Sequence, residues 1–187
     1  RICATTEVYK TKTAAKVQKY VAEIGKWLDA RAYPILDENG SIRQVIEHLR
    51  DISKEKMIES ELKEAHERMF TILNSIDAHI YVADMETHEI LFMNKCMIDA
   101  FGKDLTGDIC FEAFRGEKKE CDICTNNQLM DANGRPTDLV VWQGKNPVTG
   151  KWYLNYDRAI KWIDDRFVRL QIATDITQIK TMEAQLQ

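Results

Sequence analysis

No stretch of this sequence is apolar for long. The longest runs, such as Ile80-Tyr81-Val82-Ala83, fall far short of the roughly 20 residues a bilayer span requires, so no direct membrane insertion is expected. An excess of one charge is missing too: 26 Lys and Arg stand against 30 Asp and Glu, a net charge of -4, and no basic stripe is interleaved with aromatics. That excludes the usual electrostatic footprint of nucleic-acid binding. The cysteines (Cys3, Cys96, Cys110, Cys121 and Cys124) are odd in number within a chain that is 44% apolar. They read as reduced thiols of a cytoplasmic protein, not as a disulfide framework. Phosphate-cradling glycine loops, dinucleotide fingerprints and nucleophile elbows are absent. No constellation for acid–base or nucleophilic work can be assembled, so an enzyme is not expected. The chain starts at Arg1 with no signal peptide and reads as an excerpt of a longer protein.

What is present is a repeat. Arg50-Asp51-Ile52-Ser53-Lys54-Glu55-Lys56 returns as Thr174-Asp175-Ile176-Thr177-Gln178-Ile179-Lys180, 124 positions later. Gly25-Lys26-Trp27 returns as Gly150-Lys151-Trp152, and Cys3 stands at nearly the place of Cys124 relative to the Asp-Ile pair that follows. Landmarks in one order at nearly equal spacing indicate divergent duplication, and so long a period suits whole domains. The second copy reads as complete at 71–177, and the first keeps only its later part at 1–53. A linker helix at 54–70 joins them, and 178–187 opens an exit helix.

Alternation over 79–84 and 89–94, around the polar run 85–88, predicts two strands in a hairpin. Met97, Ile98 and Phe101 share one face of a short helix over 95–101, stopped by Gly102. Residues 103–123 read as loop with short helical turns and 125–131 as a further helix. Strands over 138–146, 151–162 and 166–174 follow, separated by Asn146-Pro147-Val148-Thr149-Gly150 and Ile163-Asp164-Asp165. This order predicts an α+β domain with an antiparallel sheet whose one face the helices cover. Ile80, Val82, Leu91, Met93, Val141 and Ile172 are expected to line the core between them. The first copy repeats the end of the plan: a helix over 4–10, then strands over 15–24, 26–36 and 42–52, with Asn39-Gly40 in a hairpin turn. Short of two neighbouring strands, its sheet is expected to leave an exposed edge. Between the copies, Ile58, Leu62, Ala65, Met69, Ile72 and Ile76 recur at spacings of 4, 3, 4, 3 and 4, a heptad seam. Its length and charged flanks favour pairing with a second copy over packing on its own domain. Ser53 and Thr177 stand where a helix N-cap hydroxyl belongs.

These residues resemble a known family. Strands that end in Asp51-Ile52-Ser53 and Asp175-Ile176-Thr177 and run directly into a charged amphipathic helix are similar to the exits of PAS domains. Tyr33-Pro34-Ile35 through Asp37-Glu38-Asn39-Gly40 matches in the first copy. Phe92-Met93-Asn94 followed by Lys103-Asp104-Leu105-Thr106-Gly107 matches in the second. The resemblance covers essentially the whole chain. It implies a five-stranded antiparallel sheet with helices on one face, flanked by coiled-coil-like linker helices. It further implies a non-catalytic sensory or dimerisation module of a bacterial signalling protein, such as a sensor histidine kinase or diguanylate cyclase. Such a module takes its input from a small ligand, a redox change or a partner. Its output leaves through the exit helix to another domain of the same chain, with Asp51, Ser53, Asp175 and Thr177 as the transmission residues.

A ligand, if one is bound, is expected against Ile80, Val82, Phe92, Met97, Phe101, Phe111, Phe114, Leu129, Val141, Trp152 and Ile172. The sharpest chemical feature is Cys121-Asp122-Ile123-Cys124, whose spacing lets two thiolates bind one metal ion, with Cys110 as a third ligand. Reduced structural thiols without a cofactor lead. A metal ion or an iron–sulfur cluster on these cysteines is the alternative, and a ligand-free interaction spacer is another. Structural zinc takes four ligands, and the sequence offers no evident fourth; Cys96 sits on the predicted helix over 95–101. Gly107-Asp108-Ile109-Cys110-Phe111 lacks the Asn and Arg of a flavin-binding relative, and Thr125 stands where c-type haem attachment needs His. His79 and His88 do not read as axial ligands of a non-covalent haem.

Overall fold

The computed structural model describes residues 3–186, so the ends of the expected segments at 1, 2 and 187 lie outside the described residues. The chain divides into two compact units, Arg1–Glu67 and Arg68–Gln187. Among the described residues no helix is long and apolar enough to cross a membrane.

In the first unit, helix α1 (Ala4–Thr11) precedes strands β1 (Ala15–Val21), β2 (Lys26–Leu36) and β3 (Ile42–Asp51). The strands form an antiparallel sheet in the order β1-β2-β3. Ala4 and Val8 of α1 pack on Ala30 and Ala32 of β2, all four buried. Small side chains on both surfaces let the helix lie close against the sheet. β3 has a strand on one side only among the described residues, the exposed edge expected from the missing neighbours. The strand predicted over 15–24 stops at Val21. There Ile24 and Gly25 donate back to the carbonyls of Val21 and Ala22, and Gly25 takes φ 65°, a conformation that closes the turn without a Cβ clash.

Helix α2 (Ser53–Ser75) has 23 residues, none of them buried, and spans about 34 Å at 1.5 Å per residue. Beyond it, the second unit holds β4 (His79–Asp84), β5 (Ile90–Met93), α3 (Lys95–Phe101), α4 (Cys110–Arg115), β6 (Val140–Lys145), β7 (Trp152–Lys161), β8 (Phe167–Asp175) and α5 (Thr177–Gln185). All five strands are antiparallel, in the order β5-β4-β8-β7-β6. The helix expected over 125–131 shrinks to one 3₁₀ turn, Asn126–Gln128. Asp131 Oδ1 accepts from the N–H groups of Asn133 and Arg135, and Thr137 donates its N–H to the Leu129 carbonyl. These bonds fold the segment back before a second helical turn can form.

The core of this unit places Tyr81, Ala83, Ile90 and Met93 of the sheet against Met97 of α3, Leu105, and Cys110 and Phe114 of α4. The register therefore corrects the expected core. Tyr81 pairs with Met93 and Val82 with Phe92, and a bulge beside Val82/Ala83 then returns Ile90 to the inner face. Ile80, Val82, Phe92, Val141 and Ile172 belong to the opposite parity. They face away from the helices, where Phe70 of α2 meets the Phe92 ring at 6.1 Å. Ile80 and Val82 are nonetheless buried. Both faces of the central strands are covered, so burial alone does not tell the two faces apart.

Asn94 ties the unit together. It is fully buried, and its Oδ1 accepts from the N–H groups of Ile80 at 3.0 Å and Met97 at 3.1 Å, capping α3. Its Nδ2 donates to the carbonyls of Leu73 at 3.1 Å and Ala78 at 2.9 Å, fastening the end of α2. Asn94→Ala is expected to destabilise the unit by roughly 3 kcal/mol, because the backbone groups of Leu73, Ala78, Ile80 and Met97 each lose a side-chain bond. Asn94→Asp keeps both acceptor contacts and should recover part of that loss. Urea denaturation of the two variants and the parent chain measures the difference.

Candidate functional site

The helix-covered face of the five-stranded sheet is polar at its centre. β8 turns Arg169 and Gln171 inward, β7 Asn155 and Asp157, and β4 His79 and Tyr81, with α3, α4 and the segment after α4 opposite them. Between these layers lies a cavity of about 80 Å³; one water needs roughly 10–15 Å³ on the same measure. Of the expected lining residues, Met97, Phe101, Phe111 and Phe114 do line it. Ile80, Val82, Phe92, Val141 and Ile172 do not, because they stand on the other side of the sheet. Leu129 is buried just after the 3₁₀ turn but does not line the cavity, and Trp152 lies at the junction with α5. A parity assigned from apolar residues was one position off, and such a slip exchanges every side chain between faces. The signal that finds the correct face is the polar alternation itself: Asn155 and Asp157 on β7, and Arg169 and Gln171 on β8.

Arg169 is the centre of the site. It is only 5% exposed. Its Nη2 donates to the Tyr81 hydroxyl at 2.8 Å and to Cys110 Sγ at 3.7 Å, and its Nη1 to Cys124 Sγ at 3.5 Å. The guanidinium carbon lies 5.5 Å from the centre of the Tyr81 ring. Its Nε has no partner among the described residues, and no carboxylate among them lies within ion-pair distance of it. Burial pushes the Tyr81 phenol well above its ordinary range. Gln171 Nε2 donates to Asn155 Oδ1 at 2.7 Å. Asp157 Oδ2 accepts from Thr125 Oγ1 at 2.6 Å and Trp142 Nε1 at 2.8 Å, fixing the indole that walls one end. A Cβ on Gly144 would come within 2.6 Å of that indole, so the position keeps the ring in place by having no side chain.

His79 also faces the cavity, with its ring 4.9 Å from that of Tyr153. Burial, with Lys151 nearby, lowers its pKa, so the neutral imidazole is favoured. Cys110 and Cys121 line the cavity, and Cys124 adjoins it through Arg169. The neighbouring Cys121 and Cys124 thiols act on each other, drawing Cys124 below the ordinary thiol range and pushing Cys121 above it, while burial raises Cys110. Cys96 is elsewhere, on α3 beside Asp77, and Cys3 is at the start of α1.

The repeated residues form the same clasp twice. In the first unit, Ile52 donates its N–H to the Trp27 carbonyl at 2.9 Å and the Trp27 N–H goes to Ser53 Oγ at 2.9 Å. In the second, Ile176 donates to the Trp152 carbonyl at 2.8 Å and Trp152 to Thr177 Oγ1 at 3.0 Å. Asp51 and Asp175 each accept the N–H two residues on, from Ser53 and Thr177, and each meets a lysine, Lys26 at 2.7 Å and Lys151 at 2.9 Å. Lys56 and Lys180 lie over the rings of Trp27 and Trp152. Ser53 and Thr177 are therefore not the helix caps expected of them. Their hydroxyls serve the strand, and the aspartates satisfy the first helical N–H groups. The seam residues Ile58, Leu62, Ala65, Met69 and Ile72 are all exposed along α2.

No family model and no curated protein matches the chain. Among solved structures, the PAS domain of an HTR-like protein from Haloarcula marismortui is similar at a TM-score of 0.51 and 18% identity, covering 65% of this chain and 99% of that one. The five-stranded unit has the PAS fold. The PAS domain of nitrogen regulation protein NR(II) from Vibrio parahaemolyticus (TM-score 0.46, 12% identity, 57% of this chain and 96% of that one) is also similar. So is that of BvgS from Bordetella pertussis (TM-score 0.42, 16% identity, 68% and 97%). At these TM-scores neither adds weight. Within the PAS unit, the cavity lies between the sheet and its helices, and the clasp lies where the last strand runs into α5.

Asp175 gives the clasp a pH signature. Burial works to raise its pKa, but the bonds from Thr177 and Lys151 outweigh burial and hold it at about 2, against an ordinary 3.8. A folded value below the unfolded one adds stability above pH 3.8, and the gain is lost as pH falls toward 2. Asp175 is partly exposed, so solvent screening limits the gain to about 1 kcal/mol. Asp175→Asn should therefore cost about that much at pH 6 and converge on the parent chain by pH 2 to 3, as read by denaturation at each pH.

Proposed function

We propose that the PAS unit is a sensory module without chemistry of its own, which binds a small molecule in the cavity and passes the change in packing to α5. The observation that carries this reading is β8, which brings Arg169 and Gln171 to the cavity and ends at Asp175, in the clasp. A ligand that engages one end of this strand acts on the other through a continuous ladder to β4 and β7. The donors suited to it are the unpartnered Arg169 Nε and the Gln171–Asn155 amide pair. They select a compact molecule with an acceptor group, a carboxylate or carbonyl, seated against Phe101, Phe111 and Phe114. Asp175 and Thr177 are the transmission residues of this unit, and Asp51 and Ser53 play the same part at the start of α2. Sensory roles in the PAS domains of signalling proteins are consistent with this reading.

The test begins with mass spectrometry of the denatured chain for a retained small molecule, followed by thermal unfolding with a panel of small organic acids and amides. A binder should raise Tm by several degrees, lose that effect in Arg169→Met, and alter amide hydrogen exchange at Trp152 and Thr177. A binder that protects Arg169→Met equally, or leaves those amides unchanged, overturns the reading.

The same proposal extends to α2. Its exposed heptad positions are complementary to themselves, so a second copy of this chain is the fitting partner. Leu62→Glu with Met69→Glu places like charges in that seam and should shift sedimentation from dimer to monomer. An unchanged profile removes the seam from the interface.

A further inference from the structure

A cluster that adjoins the Cys121–Cys124 segment includes a residue that the spacing of the cysteines did not point to, His88. The turn between β4 and β5 carries His88 at φ 62°, a left-handed conformation that costs a non-glycine residue about 1 kcal/mol or more. Several contacts hold that turn beside the cysteine segment. Asp84 Oδ1 accepts from Glu86 and Thr87 at 2.8 and 2.7 Å, the Met85 carbonyl accepts from Asn126 Nδ2 at 2.9 Å, and the His88 carbonyl accepts from the Cys110 N–H at 2.9 Å. Asn126 lies just past Cys124, so the hairpin turn and the Cys-X-X-Cys segment are pinned to each other. Donor atoms of His88, Glu120 and Cys124 consequently lie within 4.8 Å of one another. His88 Nδ1 is buried with no hydrogen-bond partner among the described residues.

We propose that His88, Glu120, Cys121 and Cys124 form a four-ligand site for a zinc-like divalent cation. Cys121 and Cys124 have the spacing that turns two thiolates toward one ion, and the Cys124 N–H donates to the Cys121 carbonyl at 2.9 Å, which holds the two residues in one tight turn. Imidazole and carboxylate complete a mixed sulfur, nitrogen and oxygen set, which suits a single tetrahedral cation. Ligands around such an ion sit about 3.5 Å apart, so the cluster must contract. Glu120 is exposed and Cys121 half-buried, and both have room to rotate. Each cysteine thiol gives up its proton as its metal–sulfur bond forms, so uptake releases protons to the solvent. A divalent ion with two thiolates and one carboxylate carries a net negative charge. Arg169, donating to Cys124 Sγ, offsets that charge and orients the sulfur from behind. Cys110 shares Arg169 but is not needed as a ligand. The site is independent of the small-molecule reading of the cavity.

The test uses the whole chain, purified without oxygen, fully reduced, stripped with a chelator and titrated with Co²⁺ alone. The expected result is one Co²⁺ per chain, with the visible bands of a tetrahedral ion and thiolate charge-transfer absorption, displaced by Zn²⁺. Cys124→Ser and His88→Asn should each weaken binding by roughly 100-fold or more, and Cys96→Ser should leave it unchanged. Asn tolerates the left-handed conformation of position 88, so His88→Asn removes the imidazole without removing the turn; circular dichroism checks this. No uptake by the reduced chain overturns the proposal, including the case in which Cys121 and Cys124 only form a disulfide. So does a His88→Asn variant that binds Co²⁺ as the parent chain does.

Discussion

The second unit is organised around one buried cation. A guanidinium removed from water costs several kcal/mol unless its donors and its charge are matched. Arg169 is matched in part, by the Tyr81 hydroxyl and ring and by two cysteine sulfurs, while its Nε stays without a partner among the described residues. These partners come from β4, from α4 and from the segment after α4, so satisfying one side chain fixes three parts of the chain against β8. The polarity then spreads along the sheet. Gln171 and Asn155 bond to each other, and Asp157 is occupied by Thr125 and Trp142. A face built in this way cannot close into a dry core, and the cavity lies where polar donors from the sheet meet aromatic rings from the helices.

The same constraint explains what the sequence disclosed and what it concealed. Strand and helix positions were legible, because alternation and heptad spacing act locally and the turns carry Gly, Asn and Asp. The facing of the strands was not. The rule that apolar parity faces the core assumes that the other face meets water. Here Ile80 and Val82 are buried on the outer side while Arg169 and Asp157 are buried on the inner side. The Cys-X-X-Cys pair was visible from its spacing, but His88 was not, since only the pairing of β4 with β5 and the bond from Cys110 to the His88 carbonyl bring that turn to the cysteines. Ser53 and Thr177 were recognised as helix-start residues for the wrong reason. Their position in sequence is that of a cap, yet a strand N–H elsewhere in the chain claims the hydroxyl.

A capping hydroxyl would serve the helix alone, and any of several residues could supply it. The observed clasp asks more. The Ile N–H bonds to the Trp carbonyl and the Trp N–H bonds to the Ser or Thr hydroxyl, so the antiparallel ladder continues past the end of the strand into the first residue of the helix. The Asp carboxylate closes the corner by taking the first helical N–H while a lysine from the neighbouring strand neutralises it. The helix is thereby bonded to the strand next to the one it follows. A shift between those two strands must either carry the helix with it or break both hydrogen bonds of the clasp. The same bonds join strand and helix at both exits, with Ser at one and Thr at the other, and loss of the hydroxyl at that position would leave the Trp N–H unpaired. In the second unit the strand so clasped to α5 is β7, which also carries Asn155 and Asp157, while α5 itself follows β8 with Arg169. The polar face of the cavity and the root of the exit helix are therefore built on the same pair of strands.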